Sequence, residues 1–162
     1  MGAGDGEGVP PPPPNITAAG GPLSLTRKLQ LVQNAAARVL TGTPWGTHMQ
    51  PVLRQLHWLP VAARIRFMVW VMTFKAVRGL DPAYLKERLP LYAPRRALRS
   101  SNANLLVVPG PREARLASTR ARAFSVLAPT WWNELPEDLR ALTELSQFCR
   151  ACKMELFRWV YG

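Results

Sequence analysis

Three shortages in this sequence exclude whole classes of protein. Among 162 residues there are only two cysteines, Cys149 and Cys152, too few for a secreted scaffold held together by disulfides. Apolar runs are short: the best candidate, residues 67–77, contains Lys75 and falls below the roughly 20 residues of a membrane span. Near the N-terminus stand Asp5 and Glu7 without an early lysine or arginine, unlike a secretory signal or a transit peptide. We therefore expect a nuclear or cytoplasmic protein, neither secreted nor transmembrane.

Acidic residues are scarce as well, and the basic excess is carried by arginine. The chain has 21 lysines and arginines against 10 aspartates and glutamates, a net charge of +11. Four of the 21 are lysines, which leaves 17 arginines, and the planar arginine fork can hold a phosphate with two hydrogen bonds. None of residues 8–80 is acidic, and residues 88–122 include only Glu113. This charge predicts a polyanion as the partner, with an acidic substrate as the alternative.

Composition and length together predict one folded domain behind an unstructured leader. Hydrophobic residues make up 48% of the chain and six residues are tryptophans, enough for a hydrophobic core. Residues 1–22 differ, because glycine, alanine and the proline run at residues 10–14 offer nothing large to bury. They are either a flexible, disordered leader, which we favour, or a ligand for a proline-binding module. For residues 23–162 we expect a single helical domain: a mainly α, irregular bundle with a small β-hairpin-like element.

Hydrophobic periodicity predicts helices along much of residues 23–162. A first helix ends at Gly42 and carries one apolar stripe, which consists of Leu25, Leu29, Val32, Ala36, Val39 and Leu40. Residues 61–78 are apolar on nearly all sides in their second half, which predicts a central helix that stops at Gly79. Short helices are predicted to end near Leu56 and Leu89, and the last helix covers about residues 144–159. The expected N-caps of these three helices are Thr47, Asp81 and Thr143.

The region after residue 90 is predicted to be the irregular part of the domain. Prolines at positions 90, 94, 109 and 111 break any long helix there. Residues 105–108 are the one short β-like run, and residues 121–127 are its expected partner strand. Residues 129–136 predict a short helix or turn with Trp131 and Trp132 as an aromatic core anchor. Base stacking is the alternative role of these two rings.

Side chains that commonly carry catalysis or bind metals occur here without suitable partners. Cys149 and Cys152 have the spacing of zinc ligands, but zinc needs two further ligands, and both cysteines fall on an apolar stripe. His57 has large apolar neighbours, which favours a packed imidazole over a general base. The adjacent Glu137 and Asp138 are expected to cap or solvate a helix start. No phosphate-binding glycine loop is present, and we expect no catalytic site, metal, cofactor or small-molecule substrate.

Arginine-rich segments are better candidates for a binding site. A loop cluster of arginines and small polar side chains consists of Arg95, Arg96, Arg99, Ser100, Ser101 and Asn102. It is continued by Arg112, Arg115, Arg120 and Arg122, with Arg64 and Arg66 as outer candidates. Guanidinium groups and loop amides can both donate to phosphate oxygens, so RNA or DNA is the predicted partner. The alternative is a solvated loop without a ligand.

Six ordered segments of the chain resemble one protein family. The first two are residues 29–38, with the sequence LQLVQNAAAR, and residues 51–61, with the sequence PVLRQLHWLPV. The next two are FKA at 74–76 with Gly79, Pro82, Tyr84 and Leu85, and LRSS at 98–101 with Val108 and Pro109. The last two are RAFSV at 122–126 with Ala128 and Pro129, and WNELP at 132–136. Together they are similar to the region that follows the polymerase domain in LINE-type (non-LTR) retrotransposon reverse transcriptases, from about Leu25 to Phe157.

The resemblance implies part of an RNA-directed DNA polymerase without its catalytic parts. Polymerase activity in that family depends on palm aspartates, including an aromatic-x-Asp-Asp loop, and here the only aspartates are Asp5, Asp81 and Asp138. This sequence also has no counterpart of the family's endonuclease domain. The leading hypothesis is therefore that the protein is a non-catalytic retrotransposon remnant that binds RNA or DNA through its arginines. The alternatives are a basic helical module that binds protein and a fragment with no function of its own.

Overall fold

A computed structural model of the protein describes residues 23–93, 104–110 and 119–162, and for residues 23–24 and 119–123 it describes the backbone only. The helices of this part are α1 (Leu23–Thr41), α2 (Met49–Gln55), α3 (Val61–Arg78), α4 (Ala83–Glu87), α5 (Thr119–Asn133), α6 (Glu137–Ala141) and α7 (Leu145–Tyr161). The predicted mainly α fold is confirmed. The predicted leader, residues 1–22, lies outside the described residues. None of the described helices is long and apolar enough to cross a bilayer.

Helix α3 is the central element, as its sequence predicts. It ends at Gly79, which adopts the left-handed conformation with φ 72° that a residue with a side chain rarely takes. The amide of the next residue, Leu80, closes the helix by donating to the carbonyl of Lys75 at 2.8 Å. Helix α3 packs most extensively against α5 and α7, and it also contacts α1 and α4.

Aromatic side chains fill the core between α3, α5 and α7. Phe74 stacks on Phe148 with the ring centroids 4.3 Å apart. The indole of Trp70 is buried and donates to the carbonyl of Trp131 at 2.9 Å. Trp132 is also buried, so the prediction that both adjacent tryptophans are core anchors is confirmed, and neither is available to stack on a base.

One arginine lies inside this core. Arg66 is only 1% exposed, and its guanidinium carbon lies 5.1 Å from the ring centroids of Trp70 and Trp131 and 5.2 Å from that of Trp159. Its Nη2 donates to the carboxylate of Glu134. Burial lowers the pKa of Arg66 and the carboxylate opposes that change. The prediction of Arg66 as a surface contact for nucleic acid is wrong, because this side chain is enclosed.

The predicted β-hairpin-like element is a single antiparallel bridge between Leu91 and Leu106. Beside it, the amide of Tyr92 donates to the carbonyl of Leu105 at 2.8 Å. The side chain of Asn133 fixes this segment to the end of α5, because it exchanges two hydrogen bonds, of 2.9 and 2.8 Å, with the backbone of Leu106. The expected pairing of residues 105–108 with residues 121–127 is wrong, since the latter belong to α5.

Helix α5 is longer than predicted because it continues through Pro129. The sequence analysis predicted a strand at residues 121–127 and a separate short helix or turn over residues 129–136, whereas one helix runs from Thr119 to Asn133. A proline inside a helix removes one backbone hydrogen bond, so tertiary packing has to offset the loss. Here Phe124, Ala128 and Trp131 recur at spacings of four and three and all contribute to the core, which favours the continuous helix.

The N-caps of α2, α4 and α7 each lie one residue after the predicted position. The capping positions of α2, α4 and α7 are His48, Pro82 and Glu144, and none of them makes a side-chain capping hydrogen bond. Gln50, three residues after the predicted N-cap Thr47, donates to the carbonyl of Val160 at 3.2 Å. Contacts with α7 therefore position α2 in place of a local cap.

Helix α1 turns a different face inward from the one predicted. Its buried residues are Gln33 and Ala37. Gln33 donates to the carbonyl of Leu59 at 2.9 Å, and the amide of Val61 donates to the side chain of Gln30 at 2.9 Å. These bonds fix the rotation of α1 on the start of α3. The predicted apolar stripe is consequently exposed, and its members are Leu25, Leu29, Val32, Ala36, Val39 and Leu40.

The two cysteines pack as the sequence predicts. Cys152 is buried in the core, Cys149 is half-buried, and both are free thiols. Burial, reinforced by Cys149 and Glu155, raises the pKa of Cys152 to about 12. No cluster of three or more His, Cys, Asp or Glu that could hold a metal ion is found within the described residues.

The ion pair between the buried Arg66 and the exposed Glu134 predicts a specific coupling of the two side chains. Glu134→Gln leaves a buried cation without its carboxylate, and we expect it to lower the free energy of unfolding by about 1–2 kcal/mol. Arg66→Met keeps the packing volume and removes the charge, so we expect a change within about 1 kcal/mol. In that background Glu134→Gln is expected to cost less than about 0.5 kcal/mol, as measured by urea unfolding.

The exposed Arg64→Met is the matched control, because it makes the same change outside the core, and we expect an effect within about 0.5 kcal/mol. An equal cost of Glu134→Gln in the wild type and in Arg66→Met would mean that the two side chains are not coupled.

The raised pKa of Cys152 predicts unequal alkylation of the two thiols. Iodoacetamide reacts with the thiolate. A pKa of about 12 in place of 9.0 lowers the thiolate fraction of Cys152 about a thousandfold at pH 8. We expect Cys149→Ser, which retains only Cys152, to resist iodoacetamide in buffer and to react in urea. Cys152→Ser should react in both, and rapid native labelling of Cys149→Ser would contradict the burial of Cys152.

Candidate nucleic-acid interface

Most of the arginines that the sequence singles out lie outside the described residues. These are Arg95, Arg96, Arg99, Arg112 and Arg115. Arg120 and Arg122 belong to the first turn of α5, where the side chains are not described. Their role in binding remains a prediction, and so does that of the loop residues Ser100, Ser101 and Asn102. Among the outer candidates, Arg64 is exposed on α3.

A basic groove, the α2/α7 groove, lies where the end of α2 meets the second half of α7. Its volume is about 490 Å³. Its basic side chains are Arg54, Arg150, Lys153 and Arg158. Its apolar and aromatic side chains are His57, Met154, Phe157 and Tyr161. Cations and rings are therefore combined in one concave surface.

Helical spacing explains how α7 supplies most of this groove. Six lining residues of α7 are spaced three or four positions apart along two adjacent rows, and so they share one side of the helix. They are the residues at positions 150, 153, 154, 157, 158 and 161. The sequence prediction followed only the more apolar neighbouring stripe, which includes Phe148, Cys152 and Leu156 and faces the core. The alternation of basic and large apolar residues along the second stripe is the signal that could have revealed the groove.

His57 reaches the groove because the chain makes a tight turn at the end of α2. It is in the left-handed conformation with φ 55°, and its amide donates to the carbonyl of Arg54 at 3.0 Å. Its ring stacks on Phe157, with centroids 5.7 Å apart and ring planes at 19°. Phe157 in turn contacts Tyr161 at 4.7 Å between ring centroids. The imidazole therefore packs against another ring, as expected, although it remains exposed.

A second, smaller core fixes the two walls of the groove to each other. Tyr161 is buried together with Val52 and Leu53 of α2, and its hydroxyl donates to the carbonyl of Trp58 at 2.6 Å. Burial raises the pKa of Tyr161, so the hydroxyl remains a donor at neutral pH. The positions of Tyr161 and of the two helices are therefore set by the fold before any ligand binds.

The groove retains a strong positive charge. Glu155 is the only acidic residue in α7, and it pairs with Arg158 at 3.2 Å, leaving 72% of the arginine side chain exposed. An exposed pair of this kind is weak, so a phosphate can compete for the guanidinium. Cations beside an exposed ring such as His57 can hold a phosphate and stack on a base.

Several arginines elsewhere are occupied by the protein itself. Arg78 donates to the carbonyls of Arg140 at 3.2 Å and Leu142 at 2.5 Å, and so stabilises the C-terminal end of α6. Arg140 is buried and donates through Nε to the carbonyl of Leu135 at 3.0 Å. Arg38 donates to two carbonyls in the loop between α1 and α2. Among the described residues, the four basic side chains of the groove make no comparable bond to a backbone carbonyl, which leaves them available to a ligand.

Three comparisons, with protein-family models, with curated proteins and with solved structures, give no match to this chain. The functional assignment therefore depends on the residues of the α2/α7 groove and on the sequence resemblance.

Proposed function

We propose that this protein binds single-stranded RNA or DNA in the α2/α7 groove and catalyses no reaction on it. The observation that carries the proposal is the stacked pair of His57 and Phe157 flanked by four basic side chains. A single strand offers both groups that such a surface binds, a phosphate backbone and unstacked base faces. A duplex offers the phosphates but keeps its bases stacked, so we propose a preference for single strands.

The proposed origin is the C-terminal region of a LINE-type reverse transcriptase. Two residues of the groove, Arg54 and His57, lie in the segment at 51–61 that contributes to this resemblance. The absence of an Asp-Asp pair from the sequence supports the proposal that the protein binds nucleic acid without extending it. Arg95, Arg96 and Arg99, with the arginines that follow them, are proposed to extend the contact along the strand.

Charge reversal in the groove tests this proposal. In Arg150→Glu/Lys153→Glu two exposed cations of the groove become anions. We expect the Kd for a single-stranded RNA of about 10 nucleotides to rise about tenfold or more at low salt. The slope of log Kd against log salt should fall by about one or more, because fewer phosphates are neutralised. Fluorescence anisotropy with labelled RNA measures both quantities.

The matched control is Arg27→Glu/Lys28→Glu on α1, which replaces the same residue types at exposed positions outside the groove. Its net charge changes by the same amount, and we expect a rise in Kd below about threefold. Equal effects of the two variants would show that the binding depends only on overall charge. A groove variant that binds RNA like the wild type would contradict the proposal, and Arg95→Glu/Arg96→Glu/Arg99→Glu would then test the predicted loop.

A further inference from the structure

A second surface of the protein, formed by the outward-facing sides of α1 and α3, is apolar. The solvent-facing side of a helix is normally polar. Because α1 buries Gln33 and Ala37, its most apolar side faces outward. Val32 is 67% exposed there, and Leu29 is also exposed. Scattered apolar residues are ordinary on a protein surface, but a contiguous apolar patch marks an interaction site.

Helix α3 completes this surface and gives it the form of a groove. Met68 is 56% exposed and Met72 lies one turn further along the same side. With Leu29 and Val32 of α1 they line the α1/α3 groove, which has a volume of about 660 Å³. Methionine side chains are flexible and adapt to the shape of a partner. A groove between two helices, lined by adaptable apolar side chains, matches the apolar stripe of a third helix.

Charge around the α1/α3 groove indicates which helix would fit. Every charged residue of α1, α2 and α3 is basic. Arg64 lines the groove. Lys28 lies four residues before Val32, and Lys75 lies three residues after Met72, so both flank the apolar positions. A second copy of this surface would bring cations against cations, whereas carboxylates on the partner would complement them.

We infer that the α1/α3 groove is a docking site for an amphipathic helix of a partner protein that carries carboxylates on both sides of its apolar stripe. Its apolar side chains would lie on Val32, Met68 and Met72, and its carboxylates would meet Lys28 and Arg64. This inference is independent of nucleic-acid binding, because the α1/α3 groove and the α2/α7 groove share no lining residue.

Two model peptides test the inference on the full chain. Both are amphipathic helices of roughly 18 residues with the same leucine stripe at positions i, i+3, i+4 and i+7, one flanked by glutamates and the other by lysines. We expect the glutamate peptide to bind with a micromolar Kd in fluorescence anisotropy and the lysine peptide to bind at least about tenfold more weakly.

Matched variants locate the site. Val32→Glu/Met68→Glu places two carboxylates in the groove at positions that are already exposed, and we expect it to weaken binding of the glutamate peptide about tenfold or more. The control Leu31→Glu/Leu80→Glu makes the same charge change at exposed apolar positions outside the groove and off the apolar stripe of α1, with an expected effect below about threefold. Both variants should keep the helical circular dichroism and the RNA affinity of the wild type, which separates this test from that of the nucleic-acid site.

Several results would overturn the inference. Absence of binding by the glutamate peptide, or equal binding of the two peptides, would remove its basis in complementary charge. Equal weakening by the two variants would place the peptide elsewhere. A dimer of this chain in sedimentation velocity that Val32→Glu/Met68→Glu dissociates would show that the occupant is a second copy instead.

Discussion

Three helices of the described part of the fold meet around one cation enclosed by aromatic rings. Arg66 of α3 is surrounded by the indoles of Trp70, Trp131 and Trp159, which come from α3, α5 and α7. Its bond to Glu134 supplies a counter-charge at the end of α5. A buried guanidinium is costly unless it is paired and stacked, and the contacts that compensate Arg66 come from all three helices. One of them, Trp159, belongs to α7, the helix that supplies most of the α2/α7 groove.

The same residue changes what the arginine-rich composition means. A net charge of +11 predicts a polyanionic partner only if the arginines face solvent. Arg66, Arg78 and Arg140 instead bind a carboxylate or backbone carbonyls inside the protein. Arginine is suited to such sites because its planar fork satisfies several acceptors and stacks on rings. The proposed interface is therefore defined by a small group of exposed cations beside rings, and not by the charge of the whole chain.

Prediction from the sequence succeeded where one strong local pattern decides the structure. Helix α3 is apolar on nearly all sides and is followed by a left-handed glycine, so its bounds and central place could be predicted. Prediction from the sequence failed where contacts between helices decide the structure. The face that α1 buries is selected by hydrogen bonds of Gln30 and Gln33 to the start of α3, against the more apolar stripe. Pro129 lies inside α5 because core packing offsets the lost hydrogen bond, and local sequence rules do not predict such packing. The α2/α7 groove brings together residues of α2 and α7 that are about a hundred positions apart in the sequence. Only one part of it, the alternation of basic and large apolar residues along α7, could have been recognised from the sequence.

The central claim is that the stacked rings of the α2/α7 groove contact nucleic-acid bases. Ultraviolet cross-linking of a bound single-stranded RNA, followed by mass spectrometry of the peptides, tests it directly, because bases cross-link to the aromatic side chains on which they stack. The account predicts cross-links at His57 and Phe157. Cross-links confined to residues 95–122, with none at these two rings, would contradict it.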